Sequence, residues 1–278
     1  MADLDLRPLT LGETLDRTFS LYRKHFLLFV GIAAIPQLLI LALNLVQLLV
    51  LPAAGRGRTL SGGLVAFTVI AGLIGIVVYF VAYLFAQGGT VFAVSDLYLG
   101  RPTTIGASLG RMRGEAADLF GVMFLNGLAV MLATLLLIIP GIYVACRLIT
   151  CIPAALLEKL GGRDSLERSF ALTKGNAGRS FVIYLLYFSL LYAGMLLFEF
   201  PFLFAVALSA KDPTMMRVWS ALSQIGSFAA MVLITPIFTI ATTVFYYDLR
   251  VRKEAFDLQL MMNPGGNAIP APAQTMFS

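Results

Sequence analysis

Residues Leu136–Phe181 read LLIIPGIYVACRLITCIPAALLEKLGGRDSLERSFALTKGNAGRSF. In that stretch one apolar run meets Pro140-Gly141, a second run carries a lone Arg147 and exits at Glu158, and a charged amphipathic segment follows. Long apolar runs joined by almost no loop read as antiparallel membrane-crossing helices, because a backbone in hydrocarbon must satisfy its own hydrogen bonds. Pro140-Gly141 is expected to turn the chain between a span at about 119–139 and one at about 141–157. Beyond Glu158-Lys159-Leu160-Gly161-Gly162, Asp164-x-x-Glu167 reads as a helix cap.

The rest of the chain repeats these pieces. Of its 278 residues 59% are hydrophobic and 13% charged, with a mean hydropathy of +0.88. Soluble domains average about 45–50% and about 25%, so a water-soluble globule is excluded. A β-barrel is excluded too, since its strands would alternate over about 10 residues and these runs are continuous. The fold class predicted is all-α integral membrane, with six transmembrane helices at about 26–51, 64–97, 119–139, 141–157, 181–207 and 225–245. Residues 1–262 are expected to form a single multi-pass membrane domain, with a disordered Pro/Gly/Ala-rich tail at 263–278. The N-terminus carries acids and no basic n-region, and the first apolar run is too long for a signal peptide; it is expected to be retained.

Proline should kink the first span at Pro36 and break the fifth at Pro201. The second span, at 34 residues, would measure about 51 Å, so it should bend or leave the bilayer near Gln87-Gly88-Gly89-Thr90.

Three amphipathic segments, 10–25, 104–116 and 164–176, can be superimposed. Leu15-Asp16-Arg17-Thr18-Phe19 matches Leu166-Glu167-Arg168-Ser169-Phe170 at an offset of 151, and Leu109-x-Arg111 joins at an offset of 94. Each precedes two spans, and the second span of each pair ends in an acid: Asp96, Glu158 and Asp248. The chain therefore reads as three repeats of interfacial amphipathic helix plus helical hairpin. Thr10-x-x-Glu13 should cap the first such helix.

Charge gives an orientation. Fifteen Lys and Arg fall on the side of both termini and four (Arg56, Arg58, Lys211, Arg217) on the other, which places both termini in the cytoplasm. Basic collars attract anionic headgroups, and Arg17, Arg23, Lys24, Arg111, Arg168, Lys174, Arg250 and Arg252 are the candidate lipid-headgroup contacts. A candidate intramembrane polar site comprises Arg147, Glu199, Gln37, Asn44 and Gln47. The last three share one helix face, and Arg147 and Glu199 are expected to approach each other in the outer half of the bundle. His25 is the only histidine, no nucleophile or phosphate-loop motif is present, and Cys146 and Cys151 read as buried free thiols. No enzyme, metal or cofactor is expected, and no nucleic-acid partner.

At Pro140-Gly141-Ile142-Tyr143, Arg147, Glu158, Arg168-Ser169-Phe170, Lys174-Gly175-Asn176 and Tyr246-Tyr247-Asp248-Leu249-Arg250, the chain resembles the glycerophosphoryl diester phosphodiesterase membrane-domain family, over most of residues 10 to 260. The resemblance implies a bacterial multi-pass helical domain with no settled activity, sometimes fused to a phosphodiesterase barrel and often standing alone. The chain departs from the family pattern at Ala177-Gly178-Arg179, where an aromatic is favoured, and it lacks the barrel and its histidines. The expectation is a non-enzymatic protein of the bacterial cytoplasmic membrane that organises lipid or partner proteins at the cytoplasmic face. The competing expectation is a small permease with a polar path through spans one, four and five.

Overall fold

The computed structural model describes residues 7–50 and 62–254. The 263–278 tail, and the loop before Gly62 with Arg56 and Arg58, lie outside the described residues. Among those described, all regular structure is helical: α1 Leu11–Lys24, α2 Phe26–Val50, α3 Gly62–Tyr98, α4 Ile105–Arg111, α5 Ala116–Leu136, α6 Ile138–Arg147, α7 Cys151–Glu158, α8 Gly162–Thr173, α9 Ala177–Phe198, α10 Phe200–Leu208 and α11 Pro213–Glu254. Six segments are long and apolar enough to cross a membrane: α2, α3 from Val69, α5, the α6–α7 pair, α9 and α11. Their outer surfaces are those of a protein bathed in lipid. Leu136, Ile138 and Ile139 at the α5–α6 tip are 70–80% exposed, which water would not tolerate as a contiguous patch.

Helix α11 is the axis, packing against α1, α2, α3, α9 and α10. From Ile240 to Val251 its residues are buried on all faces, so this stretch is interior to the bundle, packed against the equally buried Ala86–Ser95 of α3. The short helices α1, α4 and α8 pack against the ends of α11, α3 and α7 respectively. Thr10 caps α1 in a full capping box, and its backbone and side-chain bonds, with Arg7 beside them, hold the Glu13 carboxyl at about 2. Thr104 caps α4 through the Ala107 amide. Leu15, Leu109 and Leu166 are half-buried while Asp16, Gly110 and Glu167 are exposed, so the amphipathic faces point as their periodicity requires.

Four local expectations are corrected. The Asp164-x-x-Glu167 cap is not made: α8 begins three residues earlier with Gly161 as its N-cap, and Glu167 pairs with Arg163 on the helix surface instead. The second amphipathic helix stops at Arg111, short of residue 116. The turn after α5 falls at Leu137, extended at φ −164° and ψ 149°, and Pro140-Gly141 lies inside the first turn of α6, where proline's missing N–H costs nothing. Span four is broken, with Leu148–Thr150 separating α6 from α7. Helix α3 stays helical through Gly88-Gly89, where a bend or an exit from the bilayer was expected. There a side chain at Gly88 would overlap the Met112 sulfur and one at Gly89 would come within 2.8 Å of Leu109, so these glycines let α4 approach. As expected, α9 ends just before Pro201, which lies in the first turn of α10. Pro36 sits inside a continuous α2.

Candidate functional site

The charged groups converge at the end of the bundle where α1, α4 and α8 sit. Helix α7 ends there at Glu158, closed by Lys159 in the left-handed region at φ 54°, and the chain reverses into α8. The reversal brings Arg168 onto Glu158 in a two-pronged contact, Nε to Oε2 at 2.8 Å and Nη2 to Oε1 at 2.9 Å. Tyr246 donates its hydroxyl to the same Oε1 at 2.7 Å. Arg168 also reaches Glu254 at 2.5 Å, and Arg250 donates to Glu254 at 3.0 Å while lying 3.8 Å from Glu158. The side chains of Arg250 and Glu158 are 0% and 1% exposed. Two arginines thus meet two carboxylates in a nearly dry, charge-balanced cluster, the only kind in which buried ions persist.

A second cluster centres on Asp248. It accepts the Leu9 amide at 2.6 Å, Arg179 at 2.7 Å and Arg252 at 3.1 Å, and both arginines also donate to the Leu9 carbonyl. The segment before α1 is thereby strapped to the ends of α9 and α11. A third contact joins α4 to α3, with Arg111 on both oxygens of Asp96 and its guanidinium 4.3 Å over the Phe92 ring. Arg17 donates to Tyr98, whose ring stacks 4.9 Å from Tyr247, and Tyr247 in turn bonds Ser95 at 2.7 Å.

Arg147 does not meet Glu199. It donates to Thr173 at 3.1 Å, to Tyr143 at 2.8 Å and to the Phe170 carbonyl, so it is held by α8. The helix break beside it explains why. Residues 148–150 leave α6 unfinished, and the Arg147 carbonyl takes hydroxyls from Ser169 and Thr173 at 2.9 Å each, while Thr150 bonds Ser169. Irregular backbone within a span is permitted where protein groups satisfy it, and α8 supplies them. Glu199 sits at the α9–α10 break, twenty residues beyond Arg179 and so about 30 Å from the charged end; its Oε2 is buried without a partner among the described residues.

The polar stripe of α2 faces α11 and α3. Gln37 is 8% exposed and lines a cavity of about 10 Å³, about one water in size, with Tyr83, Gln87, Thr90, Thr235 and Thr239. Thr239 bonds Gln87 at 2.6 Å, and Asn44 bonds Gln224 at 3.0 Å. Gln47 is half-buried further along the same helix. The candidate polar site is therefore divided three ways: α2 residues against α11, Arg147 against α8, and Glu199 alone at the far end.

Of the candidate headgroup contacts, Arg17, Arg111, Arg168, Arg250 and Arg252 are engaged by protein groups. Fully buried Arg250 has no surface with which to reach a headgroup, which corrects that reading. Arg23, Lys24 and Lys174 remain exposed, with no ion pair among the described residues. Beside Arg23 lies an open groove of about 600 Å³, lined by Asp16, Phe19, Ser20, Tyr22 and Phe26. Arg179 and Glu254 were missed from sequence, although Asp248–Arg252 and Arg250–Glu254 are both four apart on one helix and legible as pairs once α11 is extended past the bilayer.

Six apolar helical crossings with most of their charges gathered at one end define a multi-pass membrane domain. The chain belongs to the family described as the membrane domain of glycerophosphoryl diester phosphodiesterase, whose family model matches residues 119–264, more than half of the sequence. That segment holds Glu158, Arg168, Arg179, Tyr246 and the 248–254 charges, so both large ionic clusters lie within the matched region. The match is to the membrane part of that enzyme, as distinct from its catalytic domain. No curated protein and no solved structure matches the chain.

Proposed function

We propose that the protein is a non-enzymatic module of the bacterial cytoplasmic membrane, organising lipid or a partner protein at the face where α1, α4 and α8 lie, with both termini on that side. The observation that carries this reading is the state of the charges at that end. The arginines and carboxylates are bonded to one another in the interior, and what they leave at the surface is a thin set of cations suited to headgroups. The one hydroxyl beside a carboxylate in either cluster, Tyr246 on Glu158, is fully buried and its partner is already held by Arg168, which does not favour catalysis.

We further read the domain as three units, each an interfacial helix followed by a hairpin. Supporting this, the helix N-caps Thr10, Thr104 and Gly161 recur at the offsets of 94 and 151, as do Arg17, Arg111 and Arg168. Each short helix packs on the second crossing of the preceding unit, α4 on α3 and α8 on α7, and α1 closes the ring on α11.

The reading is tested by lipid carried through purification. Neutralising the exposed cations together (Arg23→Gln, Lys24→Gln, Lys174→Gln) should lower co-purified anionic lipid severalfold at unchanged thermal stability. Unchanged lipid content would overturn it. A permease reading draws on one observation, the polar line Gln37–Gln87–Thr239 and Asn44–Gln224 between α2, α3 and α11, with Glu199 near its far end. Its cavity holds about one water and does not form a channel.

A further inference from the structure

We propose that the groove at the junction of α1 and α2 binds one zwitterionic phospholipid with a primary-amine headgroup, Arg23 taking the phosphate and Asp16 the ammonium. This rests on the reading that α1 lies in the membrane interface.

The groove is a built feature. Tyr22 forms its floor and is fixed from below, its hydroxyl donating to the Leu233 carbonyl of α11 at 2.8 Å. Its ring meets Phe26 edge-on at 5.4 Å and stacks 6.4 Å from buried Phe29, so the floor cannot collapse inward. Phe19 and Phe26 present 38% and 39% of their surface to the outside, an apolar wall where α1 gives way to the first span.

Charge chooses the occupant. Asp16 and Arg23 are seven residues apart, two turns, hence within about 20° of one another on the helix face and about 10 Å apart along its axis. Both are exposed and neither has an ion-pair partner among the described residues, whereas Arg7, Arg111 and Arg163 each find one. An anionic lipid would satisfy Arg23 and be repelled by Asp16. A lipid carrying phosphate and ammonium together satisfies both, with Ser20 between them able to donate to the phosphate. An acyl chain then continues down Phe26 into the bilayer. A primary ammonium suits Asp16 because a carboxylate accepts its N–H bonds, which a quaternary ammonium cannot offer.

The test uses the full-length protein in detergent, titrated with dioleoyl phosphatidylethanolamine, phosphatidylcholine or phosphatidylglycerol and read by native mass spectrometry. For the wild type, occupancy by the ethanolamine lipid should exceed both others. Asp16→Asn should reduce its retention about fivefold while leaving the glycerol lipid unchanged or stronger, and Arg23→Gln should weaken all three. Ethanolamine-lipid binding insensitive to Asp16→Asn, or matched by the choline lipid, overturns the proposal while leaving lipid organisation by the protein intact. If no lipid is retained by the wild type at all, the functional reading fails with it. Both side chains are exposed, so the variants should fold, and an unchanged melting temperature verifies this.

Discussion

Arg250 and Arg163 make the same kind of bond, an arginine to a glutamate four residues on, with opposite consequences. The Arg250 side chain is 0% exposed, whereas Arg163 and Glu167 are 87% and 65% exposed. In water the pair is screened and contributes about 0.3–0.5 kcal/mol, so Arg163→Met should shift unfolding little. Buried, the loss of one partner strands the others. Arg250→Met leaves Glu158 and Glu254 facing a single arginine and should cost about 3–5 kcal/mol. Adding Glu254→Gln should return part of that, giving a non-additivity above about 0.5 kcal/mol in a double-mutant cycle measured by unfolding in detergent. A loss for Arg250→Met no greater than that for Arg163→Met would show that the cluster does not hold this end together.

Among the elements, the close approaches matter more than the turns the sequence advertises. Pro140-Gly141 looks like a hairpin turn, yet the chain reverses at Leu137 and Gly141 is kept small for another reason. A methyl group there would overlap the Thr134 hydroxyl and come within 2.8 Å of the Thr134 Cα, which is backbone and cannot yield. Gly226 is similar, since its added methyl would overlap the Phe198 carbonyl where α11 crosses the α9–α10 break. At Gly88 the obstacle is the flexible end of Met112, which can move. Alanine at Gly141 or Gly226 should therefore destabilise by about 1–3 kcal/mol or more, and alanine at Gly88 by clearly less. Thermal unfolding of the three variants in one detergent ranks them, and an equal or larger loss at Gly88 would contradict the packing described.

For the whole molecule, six crossings return both termini to one side. A reporter fused after Ser278 and another in the Arg56–Arg58 loop should report from opposite sides of the membrane, the first from the cytoplasm. Agreement between them would refute either the number of crossings or their direction. The sequence by itself determined the membrane class, the presence of six helices long and apolar enough to cross, the faces of the three amphipathic helices and the break before Pro201, because each depends on hydrophobicity or backbone chemistry within about one or two turns. Only the tertiary structure decided what lies against those helices. Their fully buried residues, all 0% exposed, are Thr14, Thr18, Ser108, Ser165, Ser169 and Thr173, polar by type. Several satisfy themselves on a carbonyl four residues back, so small hydroxyls can sit where neighbouring helices approach most closely. Likewise nothing local assigns Arg168 to Glu158, Arg179 to Asp248 or Arg147 to α8. Those partners are 10, 69 and about 25 residues apart, and a charge is paired by where folding places it in space, which no spacing along the chain records.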